Sequence, residues 1–309
     1  MVSTKIVGTF GGFVAVSIAE YPVGEPGGGP YGVTAGPDGA VWFTEVHHGR
    51  IGRLTVAGEY RGFPLDPPSG RPSLLVAGLD GAVWFTESQE HRIGRVTVTG
   101  RVTTFAVPTP EAGPFGITSG PDGALWFTEL NADKIGRIAV DGTVTEFDLP
   151  EAGSFPSMIT DGPDGALWFT MNQANAIGRI TVDGAVTTFP LPTASAGPVG
   201  ITRGGDGAVW FTEIGAGQLG RITVDGQVTE FPLPDRAVRP HAITAGPDGC
   251  CWFTEWGAGR VGRISPDGNV QAYELPTPSS EPHGITLGPD GALWIAQEIG
   301  SIARLTPAR

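Results

Sequence analysis

The residues best suited to chemistry in this 309-residue sequence are two histidines, His241 and His283, each placed directly after a proline. Glu281 lies two positions before His283, and Glu298 follows further along the chain. A histidine supplies a base near neutral pH, and carboxylate oxygens are ligands for hard cations. Together they indicate proton transfer assisted by a metal ion, provided that the fold brings the four side chains to one place.

These residues belong to a repeat of 42 residues. Each copy opens on a proline, at Pro30, Pro72, Pro114, Pro156, Pro198, Pro240 and Pro282. An Asp-Gly pair begins eight residues after each of these prolines and a tryptophan follows after twelve. Asp-Gly favours tight hairpin turns, and a period near 40 residues that contains strand patterns is typical of propeller blades. We therefore predict an all-β fold, a single seven-bladed β-propeller domain over residues 1–309 with four-stranded antiparallel blades.

The N-terminal segment is predicted to close the ring. Six outer strands carry an aromatic residue nine positions before the next opening proline, and Tyr21 has the same place before Pro30. The first three strands of a blade occur seven times and end near Arg304, so the last blade has no outer strand of its own. Residues 18–23 should therefore pair into it, which leaves no open edge.

The amino-acid composition limits the kinds of binding partner that we expect. The net charge is −13, with 19 Lys and Arg against 32 Asp and Glu, so we expect neither a nucleic-acid nor a membrane partner. The two cysteines, Cys250 and Cys251, are adjacent and are expected to be reduced core residues of a cytoplasmic monomer. The apolar run over residues 5–19 also has the character of a weak signal peptide, but cleavage there would cut into the closing strand.

The copies differ most beside the opening prolines and in the loops after the second strands. Antiparallel pairing places both regions on one face, here called the top face. Only the sixth and seventh copies carry a histidine after the proline, and only the seventh carries an acid before it. His241, His283 and Glu281 are therefore predicted to line one side of the central funnel. Backbone-satisfied channel histidines are the alternative interpretation.

Glu298 lies in the top loop of the seventh copy, where no sibling has an acid. In five copies the second strand ends on a Glu. The loop after this strand is one residue shorter in the seventh copy, so the alternative interpretation is that Glu298 is this structural Glu, displaced by one position. The remaining histidines lie in top loops of the first two copies and are interpreted as solvated polar residues: His47, His48 and His91.

On these residues the sequence resembles the virginiamycin B lyase, or streptogramin B lyase, family of propellers. The resemblance covers residues 18–304, and its specific part is the three segments 239–244, 252–257 and 281–285. It implies His283 as the proton acceptor and His241 as a substrate contact. It also implies Tyr31 as a pocket-rim residue that contacts substrate, and Glu281 and Glu298 as ligands of one Mg²⁺.

Family members open cyclic depsipeptides of the streptogramin B type by elimination at a threonyl ester. Elimination needs a base for the α-carbon proton and benefits from a Lewis acid at the neighbouring carbonyl, and both fit the residues above. No nucleophile elbow or Cys-His arrangement is present in the sequence. Two other functions remain open on the same fold, a binding propeller without catalytic activity and a metal-dependent lactonase or esterase.

Overall fold

The computed structural model describes residues 3–7, as backbone, and residues 15–307. Seven antiparallel sheets are arranged as blades around a central axis, and the first strand of each blade packs against the first strands of its neighbours. This architecture confirms the predicted seven-bladed propeller. Among the described residues, no helix has the length and apolar character needed to cross a membrane.

The first three blades each contain four consecutive strands. Blade 1 consists of β3 (Pro30–Ala35), β4 (Ala40–Glu45), β5 (Arg50–Thr55) and β6 (Tyr60–Pro64). Blade 2 consists of β7 (Pro72–Ala77), β8 (Ala82–Glu87), β9 (Arg92–Thr97) and β10 (Val102–Ala106). Blade 3 consists of β11 (Pro114–Ser119), β12 (Leu125–Glu129), β13 (Lys134–Ile138) and β14 (Val144–Asp148).

The next three blades repeat the same order. Blade 4 consists of β15 (Pro156–Asp161), β16 (Leu167–Met171), β17 (Ala176–Ile180) and β18 (Val186–Pro190). Blade 5 consists of β19 (Pro198–Arg203), β20 (Val209–Glu213), β21 (Gln218–Ile222) and β22 (Val228–Pro232). Blade 6 consists of β23 (Pro240–Ala245), β24 (Cys251–Glu255), β25 (Arg260–Ile264) and β26 (Val270–Glu274). Short 3-10 turns lie at Pro68–Gly70, Arg236–Val238 and Trp256–Ala258.

Blade 7 combines both ends of the chain. It contains β27 (Pro282–Leu287), β28 (Leu293–Gln297), β29 (Ser301–Pro307), β2 (Val16–Pro22) and β1 (Ser3–Val7). β2 pairs antiparallel with β29, as predicted, although the strand begins and ends slightly before the expected 18–23. β1 pairs with the other side of β2, so this blade has five strands instead of the predicted four. Residues 3–7 match no part of the repeat, which is why the sequence did not indicate this strand.

Each blade contains one aromatic stack that packs its second strand against its outer strand. The blade tryptophan is almost fully buried in every copy and stacks on the aromatic residue of the outer strand of its own blade, as in Trp42 and Phe63 with ring centroids 5.3 Å apart. Tyr21 stacks on Trp294 at 5.7 Å and so takes that place in blade 7. The ring is therefore closed by side-chain packing as well as by backbone pairing.

Candidate active site

Hydroxyl groups in the second strands fix the start of the inner strands. The Thr254 hydroxyl donates to the carbonyl of His283 in the next blade, and the Thr212 hydroxyl donates to the carbonyl of His241, both at 2.8 Å. Each inner strand also has a register irregularity directly after its proline, which includes these histidines. Such bulges re-aim side chains near functional sites. Here they place both histidines at the top end of the central channel.

The rings of Tyr31, His241 and His283 meet there, and we call this cluster the mouth. The ring centroids of Tyr31 and His283 are 4.5 Å apart, and those of His241 and His283 are 5.0 Å apart. The Tyr31 hydroxyl lies 3.4 Å from Nε2 of His241. Blade 1 borders blade 7 because the ring is closed, so the first and last repeats contribute to the same mouth.

Glu298 joins the mouth through two hydrogen bonds. Its Oε2 accepts from Nε2 of His283 at 2.6 Å, and its Oε1 accepts from Nε2 of His47 at 2.9 Å. Gln297, not Glu298, pairs with Pro282 in the way that Glu255 pairs with Pro240. Glu298 is therefore not the repeated structural Glu in a shifted register.

Glu281 lies at a strained backbone position beside the mouth. Its φ is +49°, and the residue before the opening proline has a positive φ in every copy. Glycine fills this place in the first, third and fifth copies, and a bulky side chain here carries a steric cost. The carbonyl of Glu281 accepts from the amide of Glu298 at 3.1 Å, so the two acids lie on adjoining loops. Its side chain is exposed and has no hydrogen bond within the described part of the chain.

A cleft of about 440 Å³ adjoins the mouth on the blade 6 side, and Glu281 forms part of its wall. Trp256 also lines it, with the Arg239 guanidinium 5.4 Å from the centre of its ring. The Trp256 ring is 6.1 Å from that of His283. The cleft therefore comes close to the mouth at Trp256 and Glu281, although neither mouth histidine lines it.

Burial keeps both histidines of the mouth neutral. Desolvation, together with the neighbouring His283, lowers the pKa of His241 to about 3. Desolvation also lowers the pKa of His283, although the hydrogen bond that the ring donates to Glu298 opposes the shift. For Glu298, burial raises the pKa, but the bonds from His283 and His47 outweigh burial and the net shift is downward. A neutral imidazole therefore faces an ionised carboxylate.

This charge state fixes the proton on His283. A carboxylate only accepts hydrogen bonds, so Nε2 of His283 carries the hydrogen that Glu298 receives. The unshared pair of the ring then lies on Nδ1, which is buried and has no hydrogen-bond partner within residues 15–307. The arrangement resembles the carboxylate–histidine pair of hydrolases, in which the carboxylate orients the base and stabilises the imidazolium.

The structure thus brings together four of the five predicted site residues and places the fifth, Glu281, on the adjoining loop. It also adds His47, which the sequence interpretation treated as a solvated polar residue. Within residues 15–307, His48 and His91 form no side-chain hydrogen bond with the mouth residues; the Nδ1 atom of His91 accepts from the amide of Gly113. Ring closure placed the top loop of blade 1 beside that of blade 7, but the direction of the His47 side chain could not be predicted from the sequence.

The fold and the mouth define a propeller whose top face carries a base-and-carboxylate site. The virginiamycin B lyase family profile matches residues 16–305. The chain therefore belongs to that family, a family of lyases.

Solved structures agree across the length of the chain. A streptogramin B lyase structure superposes with a TM-score of 0.92 at 46% identity, covering 95% of this chain and 98% of that one. A virginiamycin B lyase from Staphylococcus aureus, in a catalytically inactive histidine-to-alanine variant with quinupristin, gives 0.91 at 44% identity, covering 95% and 100%.

Curated relatives match over short segments. The virginiamycin B lyase of Saccharopolyspora erythraea is 64% identical over 44 residues, 14% of this chain and 15% of that protein. The virginiamycin B lyase of Bordetella pertussis is 48% identical over 48 residues, 16% of each chain.

Proposed function

We propose that the protein is a carbon–oxygen lyase that linearises cyclic depsipeptides of the streptogramin B type by elimination at the threonyl ester. The observation that carries this proposal is the pairing of Glu298 with Nε2 of His283, which orients a neutral, buried imidazole at the mouth. Two structural relatives that align over nearly their full length are named streptogramin B lyase and virginiamycin B lyase, and the second is catalytically inactive as a histidine-to-alanine variant.

In the proposed reaction His283 removes the α-carbon proton of the esterified threonine. The proton goes to the imidazole of His283, and Glu298, which accepts a hydrogen bond from the ring, stabilises the positive charge that develops there. The electron pair of the broken C–H bond forms the α,β double bond, and the C–O bond to the β-carbon breaks. The former ester leaves as a carboxylate, so the product is a linear peptide of unchanged mass with a dehydrated threonine.

Tyr31 and His241 are proposed to hold the substrate above the base. The low pKa of His241 keeps it neutral, so it neither repels the imidazolium of His283 with a second full charge nor competes for the proton. The Tyr31 ring packs against His283 at 4.5 Å and, by covering it, limits the access of water. Both roles affect binding and orientation more than proton transfer.

The two carboxylates are proposed to hold one Mg²⁺. Their oxygens are the donors that this ion prefers, Glu281 has a free exposed carboxylate, and Glu298 retains two lone-pair positions beyond its histidine bonds. Within residues 15–307 there is no cluster of three or more His, Cys, Asp or Glu arranged for metal binding, so water would complete the shell. The bound ion would supply Lewis-acid stabilisation of charge on the threonine carbonyl.

The experiment is incubation with a group B streptogramin, with and without EDTA, followed by mass spectrometry. We expect a linear product of unchanged mass, and a strong decrease in its formation when EDTA is present. A product that has gained water would support the lactonase or esterase alternative. An intact ring recovered after binding would support the binding propeller.

A further inference from the structure

We propose that His47 is a positioning residue for the reaction, which holds the carboxylate of Glu298 against the ring of His283. This inference rests on the proposed function, because it assigns His47 a role in setting up the same base. The observation behind it is the chain of contacts from Nε2 of His47 to Oε1 of Glu298, at 2.9 Å, and from Oε2 to Nε2 of His283, at 2.6 Å.

The contact joins two residues that the repeat does not require. The position of Glu298 is occupied in the other copies by Val46, Ser88, Leu130, Asn172, Ile214 and Trp256. The position of His47 is occupied in the second to sixth copies by Gln89, Asn131, Gln173, Gly215 and Gly257. Blade geometry therefore explains neither side chain. They meet only because closure places blade 1 next to blade 7.

The backbone around His47 is shaped to admit its ring. The amide of His47 donates to the carbonyl of Gly28 at 3.1 Å, which fixes the start of the side chain. A β-carbon on Gly29 would lie 2.3 Å from Cδ2 of His47, so a side chain at position 29 would displace the ring. Gly29 also has a φ of +63°, which glycine adopts without strain. The loop and the ring thus fit each other closely.

Glu298 needs such a partner because its side chain has three rotatable bonds and is partly exposed. Its only other side-chain bond within the described residues goes to His283. With Oε1 held by His47, rotation of the carboxylate is restricted and Oε2 stays on Nε2 of His283. Without His47, the carboxylate of Glu298 can turn to solvent, and the ring of His283 then loses its hydrogen-bond acceptor.

The test uses His47→Ala and His47→Gln in the full-length protein, with Gln89→Ala as control. Gln89 is the exposed residue at the same loop position of blade 2, away from the mouth. Loss of a residue that orients a catalytic group typically lowers activity by about 10- to 100-fold. We expect His47→Ala to lower kcat by that factor with little change in KM. His47→Gln, which retains a donor, should recover most of it, and Gln89→Ala should match the unmodified protein.

A second measurement does not depend on activity. ¹⁵N-histidine NMR reports which ring nitrogen of His283 carries the proton, with the His283 signals assigned by their loss in His283→Ala. His47→Gln should leave the His283 signals as in the unmodified protein, and His47→Ala should shift them, because the ring loses its contact with Glu298. His283 signals and kcat that are unchanged in His47→Ala would overturn the proposal.

A double-mutant cycle separates this inference from the proposed function. His47 is proposed to act only through Glu298, so His47→Ala should have no further effect when added to Glu298→Gln. Two full, additive losses would overturn the positioning role. If the unmodified protein does not open the ring at all, the proposed function fails instead, and the NMR measurement still decides whether His47 holds Glu298 against His283.

Discussion

The bottom and the top of this propeller are built from the same repeat but have different chemistry. On the bottom, the aspartate of each Asp-Gly turn accepts from the blade tryptophan and from an arginine of the third strand. Asp248, for example, lies 3.2 Å from Nε1 of Trp252 and 2.7 Å from Nε of Arg263. The network occurs in all seven blades, so it explains the fold and carries no information about function.

On the top, the equivalent positions diverge, and the divergence is concentrated where blade 7 meets blades 6 and 1. Thr212 and Thr254 still anchor the backbone of both mouth histidines, but in the seventh copy Ala296 replaces this threonine. Residues that the repeat does not require, among them His47 and Glu298, contact each other there. In this repeat protein, the candidate site therefore lies where one copy of the repeat differs from the others.

The largest expected effect is that of His283→Ala. Loss of one positioned base costs about 10² to 10⁴ in rate, whereas the melting temperature should change little because the side chain lies at the end of the central channel and outside the hydrophobic core clusters. Tyr31→Phe, which removes only a hydroxyl, should lose much less. Steady-state kinetics and thermal unfolding of the three proteins check this, and full activity in His283→Ala would show that the divergent residues are not the catalytic ones.

The next effect is that of Glu281→Gln, which retains the shape and removes the charge. Because Mg²⁺ binds oxygen ligands more weakly when one charge is lost, metal affinity and activity should fall together and activity should partly recover at high Mg²⁺. Calorimetric titration and rates at several Mg²⁺ concentrations measure the two. The assignment would be wrong if the variant bound Mg²⁺ as tightly as the unmodified protein.

Asp248→Asn tests the bottom face in a blade that also supplies His241. Burial raises the pKa of Asp248, but the bonds from Arg263 and Trp252 outweigh burial and lower it overall. Its contribution to the free energy of unfolding is thus present above the ordinary Asp pKa and is lost as the pH falls through the lowered value. At neutral pH the variant should unfold about 1–2 kcal/mol more easily with unchanged kcat. A comparable loss of kcat would show that the two faces are coupled.

Glu129 is an acid near the top face that has no proposed role in the reaction, so it tests whether such residues affect stability alone. Burial and the nearby Glu146 raise its pKa to about 8, and neither of its oxygens has a hydrogen-bond partner in the part of the chain that the structure describes. A raised pKa favours folding at low pH, and this contribution is lost as the pH rises through about 8. The fourth copy has Met171 in the same place, fully buried.

Glu129→Met should therefore stabilise the protein by about 1–3 kcal/mol at pH 9 and less at pH 5, without a change in kcat. Glu87→Met is the matched control, since Glu87 accepts two bonds from Arg92 and its loss should destabilise. Urea unfolding at both pH values measures the difference. Equal effects of the two substitutions would show that pairing at this position is irrelevant to stability.

Much of the fold could be predicted because each copy of the repeat corresponds to one blade. The spacing of proline, Asp-Gly and tryptophan predicted the blades, and Tyr21 predicted the closing strand. β1 could not be predicted, since it is held by edge pairing to β2 and carries no repeat signal. At the site, the positions of His241, His283 and Glu281 follow from the repeat. The contact of His47 with Glu298 depends on side-chain directions across the closure, which no sequence spacing reports.

In the proposed reaction, the mouth residues remove a proton from carbon and no water is added. This claim is tested most directly with a group B streptogramin that carries deuterium on the α-carbon of the esterified threonine. We expect the unmodified protein to react more slowly with this substrate than with the undeuterated one. It should form a linear product that has lost the deuterium and gained no water, and His283→Ala should not form this product. A product that retains the deuterium and has gained water would contradict the proposed reaction.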